Sequence, residues 1–207
     1  PTQWDDEDGD GYGDNANGHS PDAFPTDVTQ TTDSDGDGYG DNPSGFNGDY
    51  CPLTYGISYR ESYGCPDLDL DGWSDDVDDC PGIMGWSSFD RKGCADSDDD
   101  GFSDPDASSR PHPVGYADAF PFETTQNRDT DGDGYGDNIS GKNSDDCLHD
   151  FGRSTIDRFG CPDQDGDGRS DLGDTFPNEP TQGIDSDSDG YGDNTDGKNG
   201  DRCPNIW

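Results

Sequence analysis

The 207-residue chain carries 50 acidic residues against 11 basic ones, a net charge of −39, and only 24% hydrophobic residues beside 31 glycines and 15 prolines. This composition excludes a conventional apolar core and predicts disorder unless a counter-charge is supplied. It argues against nucleic acid or anionic lipid as a direct partner and makes divalent cations the natural complement.

Self-comparison divides the chain into seven repeats, each opening on an acidic loop of the form D-x-D-x-D-G-x-x-D and ending on a linker that starts after one further closing Asp. Repeat 1 (residues 1–32) places Asp6, Asp8 and Asp10 at loop positions 1, 3 and 5, Tyr12 at 7, Asp14 at 9 and Asp22 as the closing acid, before a Phe-type linker. Repeat 2 (33–66) has Asp33, Asp35, Asp37, Tyr39, Asp41 and closing Asp49 before a Cys-type linker. Repeat 3 (67–95) has Asp67, Asp69, Asp71, Trp73, Asp75 and Asp78, again with a Cys-type linker. Repeat 4 (96–128) has Asp96, Asp98, Asp100, Phe102 and Asp104, then the longest insertion, closing Asp118 and a Phe-type linker. Repeat 5 (129–162) has Asp129, Asp131, Asp133, Tyr135, Asp137 and Asp145 with a Cys-type linker. Repeat 6 (163–184) has Asp163, Asp165, Asp167, Arg169, Asp171 and Asp174 with a Phe-type linker. Repeat 7 (185–207), read as truncated, has Asp185, Asp187, Asp189, Tyr191, Asp193 and Asp201.

The closing Asp stands at loop position 12 in loops 3 and 6 and at position 17 in loops 1, 2, 5 and 7, after segments such as "NPSGFN" and "NTDGKN". From closing Asp to the next opening Asp, Cys-type linkers take 18 residues and Phe-type linkers 11, so the two are modular alternatives. Phe24, Phe120 and Phe176 stand where the other type places a cysteine. Six cysteines pair at a spacing of 14, as Cys51 with Cys65, Cys80 with Cys94 and Cys147 with Cys161. The rival pairing of Cys65 with Cys80 fails by internal comparison, because the matching place downstream of Cys161 holds Phe176. Local disulfides imply an oxidising, extracellular or cell-surface setting. The expected fold is mostly irregular, with little helix or strand: a calcium-wrapped, disulfide-pinned linear repeat array.

Carboxylates at alternate positions followed by a turn glycine suit a hard cation of flexible, high coordination. The backbone carbonyl at position 7, the Asp at position 9 and the closing Asp complete an oxygen-only set, which favours calcium over magnesium or zinc. An EF-hand is excluded because position 12 is never Glu and Pro, Gly and Asn follow where a helix should start. The residues resemble thrombospondin type 3 repeats, whose signature D-x-D-x-D-G-x-x-D-x-x-D is matched outright by "DLDLDGWSDDVD" from Asp67 and "DQDGDGRSDLGD" from Asp163. The resemblance spans all seven loops and implies an irregular chain wound about a string of calcium ions, often more than one per repeat. The insertions and the cysteine-free linkers are departures from that pattern. Seven calcium ions would bring the charge from −39 to −25 and fourteen to −11, so about 7 to 14 ions are expected, and binding energy becomes folding energy.

Aromatic residues at position 7 and Trp4, Trp86 and Trp207 could stack on sugars, but packing between repeats is the expected role where core material is scarce. His19, His112 and His149 are isolated and no nucleophile is marked by a motif, so no enzyme activity is expected. Asn138 in Asn138-Ile139-Ser140 is the one N-glycosylation sequon. Cys203 opens a Cys-type linker whose partner would fall beyond the sequence, so an intermolecular or truncated pair is expected. No signal peptide, start methionine or membrane-spanning stretch is found, which suggests a mature or internal segment of a secreted chain. The functional expectation is an extracellular structural element, a calcium-stiffened rod, stalk or filament segment that meets copies of itself or flanking repeats head to tail, without membrane insertion. The alternatives are a calcium-dependent adhesion module, which could contact glycans, or a spacer in a larger secreted protein. "DASSRPHPVGYA" and Arg60, Arg91 and Arg158 are the candidate contact surfaces of the adhesion reading.

Overall fold

Alternating Asp and Gly leave the chain neither a helical nor a strand period, and its backbone hydrogen bonds must be met locally. The computed structural model describes residues 5–106 and 117–207, divided into two compact units, Pro1–His112 and Pro113–Trp207. Loops 1–4 belong to the first unit and loops 5–7 to the second. Trp4 and most of the long insertion of repeat 4 lie outside the described residues. Among the described residues there is no helix and no extended strand, only the isolated bridges Gly13–Pro21, Gly40–Gly48, Gly136–Ser144 and Gly192–Gly200. The buried hydrophobic residues are Cys65, Trp73, Cys80, Cys94 and Cys161, fewer than the buried Asp, Ser and Gln. The interior is therefore polar and hydrogen-bonded, as the composition requires.

Every loop uses the same frame. The position 9 N–H donates to the carbonyl of the residue just before the loop, at 2.8–3.0 Å in all seven. Glycine at position 6 has a positive φ of 92° to 99° throughout, which explains its presence in each repeat. Position 4 is also left-handed, at Gly9, Gly36, Gly132 and Gly166 but also at Leu70, Asp99 and Ser188, a requirement the sequence pattern did not reveal. In loops 2 to 7 the position 9 carboxylate folds back on position 2, whereas Asp14 Oδ1 in loop 1 is buried without a hydrogen-bond partner. Asp41 accepts the Ser34 N–H at 2.9 Å and hydroxyl at 2.6 Å. Asp104, Asp137 and Asp193 hold Ser97, Thr130 and Ser186 in the same two-bond clasp, and Asp75 and Asp171 accept the N–H of Leu68 and Gln164.

The disulfides join Cys51–Cys65, Cys80–Cys94 and Cys147–Cys161, with Cα separations of 5.0–5.1 Å. Inside each disulfide loop the aligned Ser58, Ser87 and Ser154 are fully buried and accept the N–H of the second cysteine at 2.9–3.0 Å. Gly56, Gly85 and Gly152 press on that cysteine so closely that a Cβ would lie 1.9–2.0 Å from its carbonyl group. Each Cys-type linker then docks on the following loop. Two successive N–H groups, of Tyr59 and Arg60, Ser88 and Phe89, or Thr155 and Ile156, donate to the position 6 carbonyl of Gly72, Gly101 or Gly168.

Phe-type linkers grip the next loop differently. Gln30, Gln126 and Gln182, 1–2% exposed, donate through Nε2 to the carbonyls of Asn42 and Phe46, Asn138 and Lys142, or Asn194 and Lys198. Their Oε1 accepts the N–H of the same Asn at 2.9–3.1 Å. The glutamine thus pins the inserted segment into a side lobe. At the neck of the lobe the closing Asp N–H donates to the position 8 glycine carbonyl, Asp49 to Gly40, Asp145 to Gly136 and Asp201 to Gly192. In loop 3 the Asp78 N–H reaches the position 8 Ser74 carbonyl without any insertion. A closing residue at position 17 therefore arrives where one at position 12 does.

Candidate metal centre

Positions 1, 3 and 5 bring their carboxylates together. One oxygen from each lies within 4.8 Å of the others in Asp6/Asp8/Asp10, Asp33/Asp35/Asp37, Asp67/Asp69/Asp71, Asp96/Asp98/Asp100 and Asp129/Asp131/Asp133, and two further groups of this kind exist. The backbone aims them. Position 1 accepts the N–H of position 4 on Oδ1 at 2.6–2.8 Å and that of position 6 on Oδ2 at 2.9–3.2 Å. Position 3 accepts the position 5 N–H on Oδ1. Position 5 accepts the position 7 N–H on Oδ1 at 2.8–2.9 Å.

The closing Asp is oriented by its own turn: Oδ1 accepts the N–H two residues on, from Phe24, Cys51, Cys80, Phe120, Cys147, Phe176 or Cys203, at 2.6–2.8 Å. That bond is the reason for the Asp-x-Cys or Asp-x-Phe spacing. In the Cys-type repeats the closing and position 5 carboxylates converge on one point. A Cβ on Gly64 would meet Asp49 Oδ1 at 2.3 Å and Asp37 Oδ2 at 3.1 Å, one on Gly93 would meet Asp78 and Asp71 at 2.3 and 3.0 Å, and one on Gly160 Asp145 and Asp133 at 2.4 and 2.9 Å. Asp118, the expected closing acid of loop 4, belongs to the second unit, whereas that loop belongs to the first.

The remaining oxygens carry the strongest chemical signal. Oδ2 of Asp8, Asp35, Asp69, Asp131, Asp165 and Asp187, all at position 3, is buried without a hydrogen-bond partner, and so is Oδ2 of the closing Asp22, Asp49 and Asp201. Asp49 is 1% exposed. Buried carboxylate oxygens without partners are costly unless a cation takes them. Electrostatics agree. Burial first, then the charges of Asp71, Asp69 and Asp67, push Asp78 up to about 7 against the opposing bond from Cys80. Burial also raises Asp22, Asp49, Asp145 and Asp174, aided by the position 3 and 5 charges of their own loops. The Ser34 and Ser186 hydroxyls hold Asp41 and Asp193, at position 9, below the usual carboxylate range. Among the described residues no hydrogen bond reaches the position 7 carbonyls of Tyr12, Tyr39, Trp73, Phe102, Tyr135, Arg169 or Tyr191. These all-oxygen donor sets fit a hard divalent cation.

Other expected residues take structural parts. Position 7 rings pack on linker residues: Tyr39 on Tyr63 and Tyr135 on Phe159 at centroid distances of 5.7 and 5.9 Å, and Phe102 edge-on to Phe89 at 5.5 Å. Buried Trp73 faces Lys92 and Arg60, and Arg60 also lies over the half-open Trp86. Arg91, a candidate contact residue, is instead buried at 3% exposure and pairs with Asp106 and Ser103, because it ties its linker to loop 4. Asn138 is exposed, but its Nδ2 donates to the Thr125 carbonyl at 2.8 Å, a bond repeated by Asn42 and Asn194, which lie in no sequon. Cys203 is free and exposed.

Two sets of residues escaped sequence reasoning. The glutamine clamp had a signal in the constant spacing of 12 from Gln30, Gln126 and Gln182 to Asn42, Asn138 and Asn194. Position 8 had another: it is Gly in loops after a Phe-type linker and Ser after a Cys-type linker, where Asp90 and Asp157 cap Ser103 and Ser170. In loop 3 the matching residue is Glu61, which pairs with Lys92 instead, and the Ser74 hydroxyl is buried without a partner.

No protein-family model matches this chain, and no curated protein matches it. Three disulfides fit an oxidising, secreted environment, and among the described residues no helix is long and apolar enough to cross a membrane.

Proposed function

We propose that this chain is an extracellular calcium-stiffened structural element, the repeat portion of a rod, stalk or filament, related in design to thrombospondin type 3 repeats. The observation that carries the reading is the pairing of buried, partnerless Oδ2 atoms on position 3 and on the closing Asp, seen in loops 1, 2 and 7. A divalent cation would sit between these oxygens, cancel the repulsion inside each loop and join residues 14 positions apart. Calcium is the cation of choice because the donors are all oxygen and carboxylate-rich, and millimolar extracellular levels suffice for modest affinity. The ion would supply charge neutralisation and coordination; the chain supplies orientation through its N–H groups and joins consecutive loops through its linkers.

A second reading, an adhesive surface on the same scaffold, is favoured by the exposure of Leu53, Tyr55, Ile83, Met84 and Phe151 on the disulfide loops. Metal analysis of the purified chain after equilibration with millimolar calcium, paired with small-angle scattering before and after chelation, tests the main proposal. Several bound ions per chain and expansion on chelation toward a radius of gyration of about 50 Å are expected. Absence of bound calcium, or unchanged dimensions after its removal, would refute it.

A further inference from the structure

Linker type alters the chemistry of the loop before it. In the Cys-type repeats a linker glycine donates its N–H to the second oxygen of the position 5 carboxylate: Gly56 to Asp37 Oδ2 at 3.1 Å, Gly85 to Asp71 Oδ2 at 3.1 Å and Gly152 to Asp133 Oδ2 at 3.2 Å. Each glycine is clamped against the second cysteine of its disulfide, where no Cβ fits. From the other side Gly64, Gly93 and Gly160 close on the closing and position 5 carboxylates. The disulfide loop is therefore a wall of the candidate centre, built from backbone that the cross-link holds in place. The Phe-type linkers after loops 1 and 6 bring no N–H to Asp10 or Asp167 Oδ2, and Asp10 Oδ2 is buried without a partner.

We infer that the loops form two classes of metal site set by the linker that follows. Loops 2, 3 and 5 are the tighter class, and Gly56, Gly85 and Gly152 are the residues that position their ligands. This inference rests on the proposed metal binding and deepens it. In the tighter class the position 5 carboxylate is held by two N–H groups before an ion arrives, so less ordering remains to be done on binding. Loss of such an outer partner costs about 10- to 100-fold in metal affinity. The disulfides accordingly act on metal affinity through these glycines, beyond their effect on the unfolded chain.

The terbium ion, a luminescent stand-in for calcium, tests this on the full chain. Trp4→Phe and Trp207→Phe leave Trp73, at position 7 of loop 3, and Trp86, in the linker after it, so tryptophan-excited terbium emission reports loop 3. Cys80→Ser with Cys94→Ser opens the wall of that loop and should weaken loop 3 about 10- to 100-fold, with the calcium concentration that shifts the Gly152 amide signal of loop 5 unchanged. A second measurement needs no disulfide variant. In a calcium titration followed by amide NMR, the Gly56, Gly85 and Gly152 signals should complete their shifts before those of Tyr12 and Arg169. Equal affinity with and without the Cys80–Cys94 bond, or filling of loops 1 and 6 together with or ahead of 2, 3 and 5, overturns the two-class inference while metal binding stands. Absence of any terbium emission or calcium-induced shift overturns both.

Discussion

Replacing Gln126 with alanine should open the side lobe of loop 5 and leave its twin in loop 7 closed. The side chain is 1% exposed and makes three bonds, from Nε2 to the Asn138 and Lys142 carbonyls at 2.9 and 3.1 Å and from the Asn138 N–H to Oε1 at 2.9 Å. At about 1 kcal/mol for each net bond the clamp contributes roughly 3 kcal/mol, and the stranded backbone groups add to the loss. That corresponds to about a 100-fold rise in the open fraction of the lobe. Trypsin reads it directly, because Lys142 lies in this lobe and Lys198 occupies the same place in loop 7 under the intact Gln182. Both lysine side chains are 70% exposed and paired with a glutamate, Glu123 or Glu179, so intrinsic access is matched. When opening is fast relative to cleavage, the cutting rate follows the open fraction. In saturating calcium the variant should therefore be cut after Lys142 about 100-fold faster than the parent, with the rate after Lys198 unchanged. An unchanged ratio of the two rates would show that the lobe is held by something other than the glutamine, and the account of how positions 12 and 17 become equivalent would fail with it.

Ser74→Ala should be neutral or slightly stabilising in denaturant unfolding, because its buried hydroxyl has no partner. Ser170→Ala breaks the hydroxyl bond to Asp157 and should cost about 1 to 2 kcal/mol; equal effects would contradict the capping pattern. Asp78, pushed up to about 7, holds a proton in the metal-free fold that the unfolded chain has already lost by that pH. Its contribution therefore favours the metal-free fold at low pH and is lost as pH rises through the range from about 4 to about 7. A calcium ion bound by the proposed loop 3 site would displace this proton, so calorimetry in buffers of different ionisation enthalpy should find proton release on binding below pH 7, fading above it. Identical heats across buffers at pH 6 would contradict it. Asp133→Ala, which removes the position 5 carboxylate and the acceptor for Gly152, should loosen loop 5 and its disulfide loop without disordering loop 7, as read by amide exchange. Loss of exchange protection throughout both units would refute the view that repeats are stabilised locally.

Composition and spacing alone were enough to establish several things. A chain with 24% hydrophobic residues cannot build an apolar core, so irregular structure held by disulfides and acidic clusters follows from composition. The 14-residue cysteine spacing identified the three bridges, and the carboxylate triads followed from local turn chemistry, because positions 1 to 9 bond mainly to one another. What needed the tertiary structure were the relations between segments. Position 9 acids turned to position 2, a division of labour that a linear ligand count cannot show, since both roles ask for the same residue. Arg91 was read as surface because the carboxylate that pairs with it, Asp106, lies 15 residues away. The arrival of the closing Asp at one point from two different spacings depends on Gln126 and its equivalents, whose amide bonds backbone that follows it by 12 and 16 residues. A polar side chain that satisfies backbone groups carries no charge and no hydrophobic pattern, and the constant spacing of 12 does not say what the amide bonds, so its part in the fold becomes visible only once the chain has brought its partners to it.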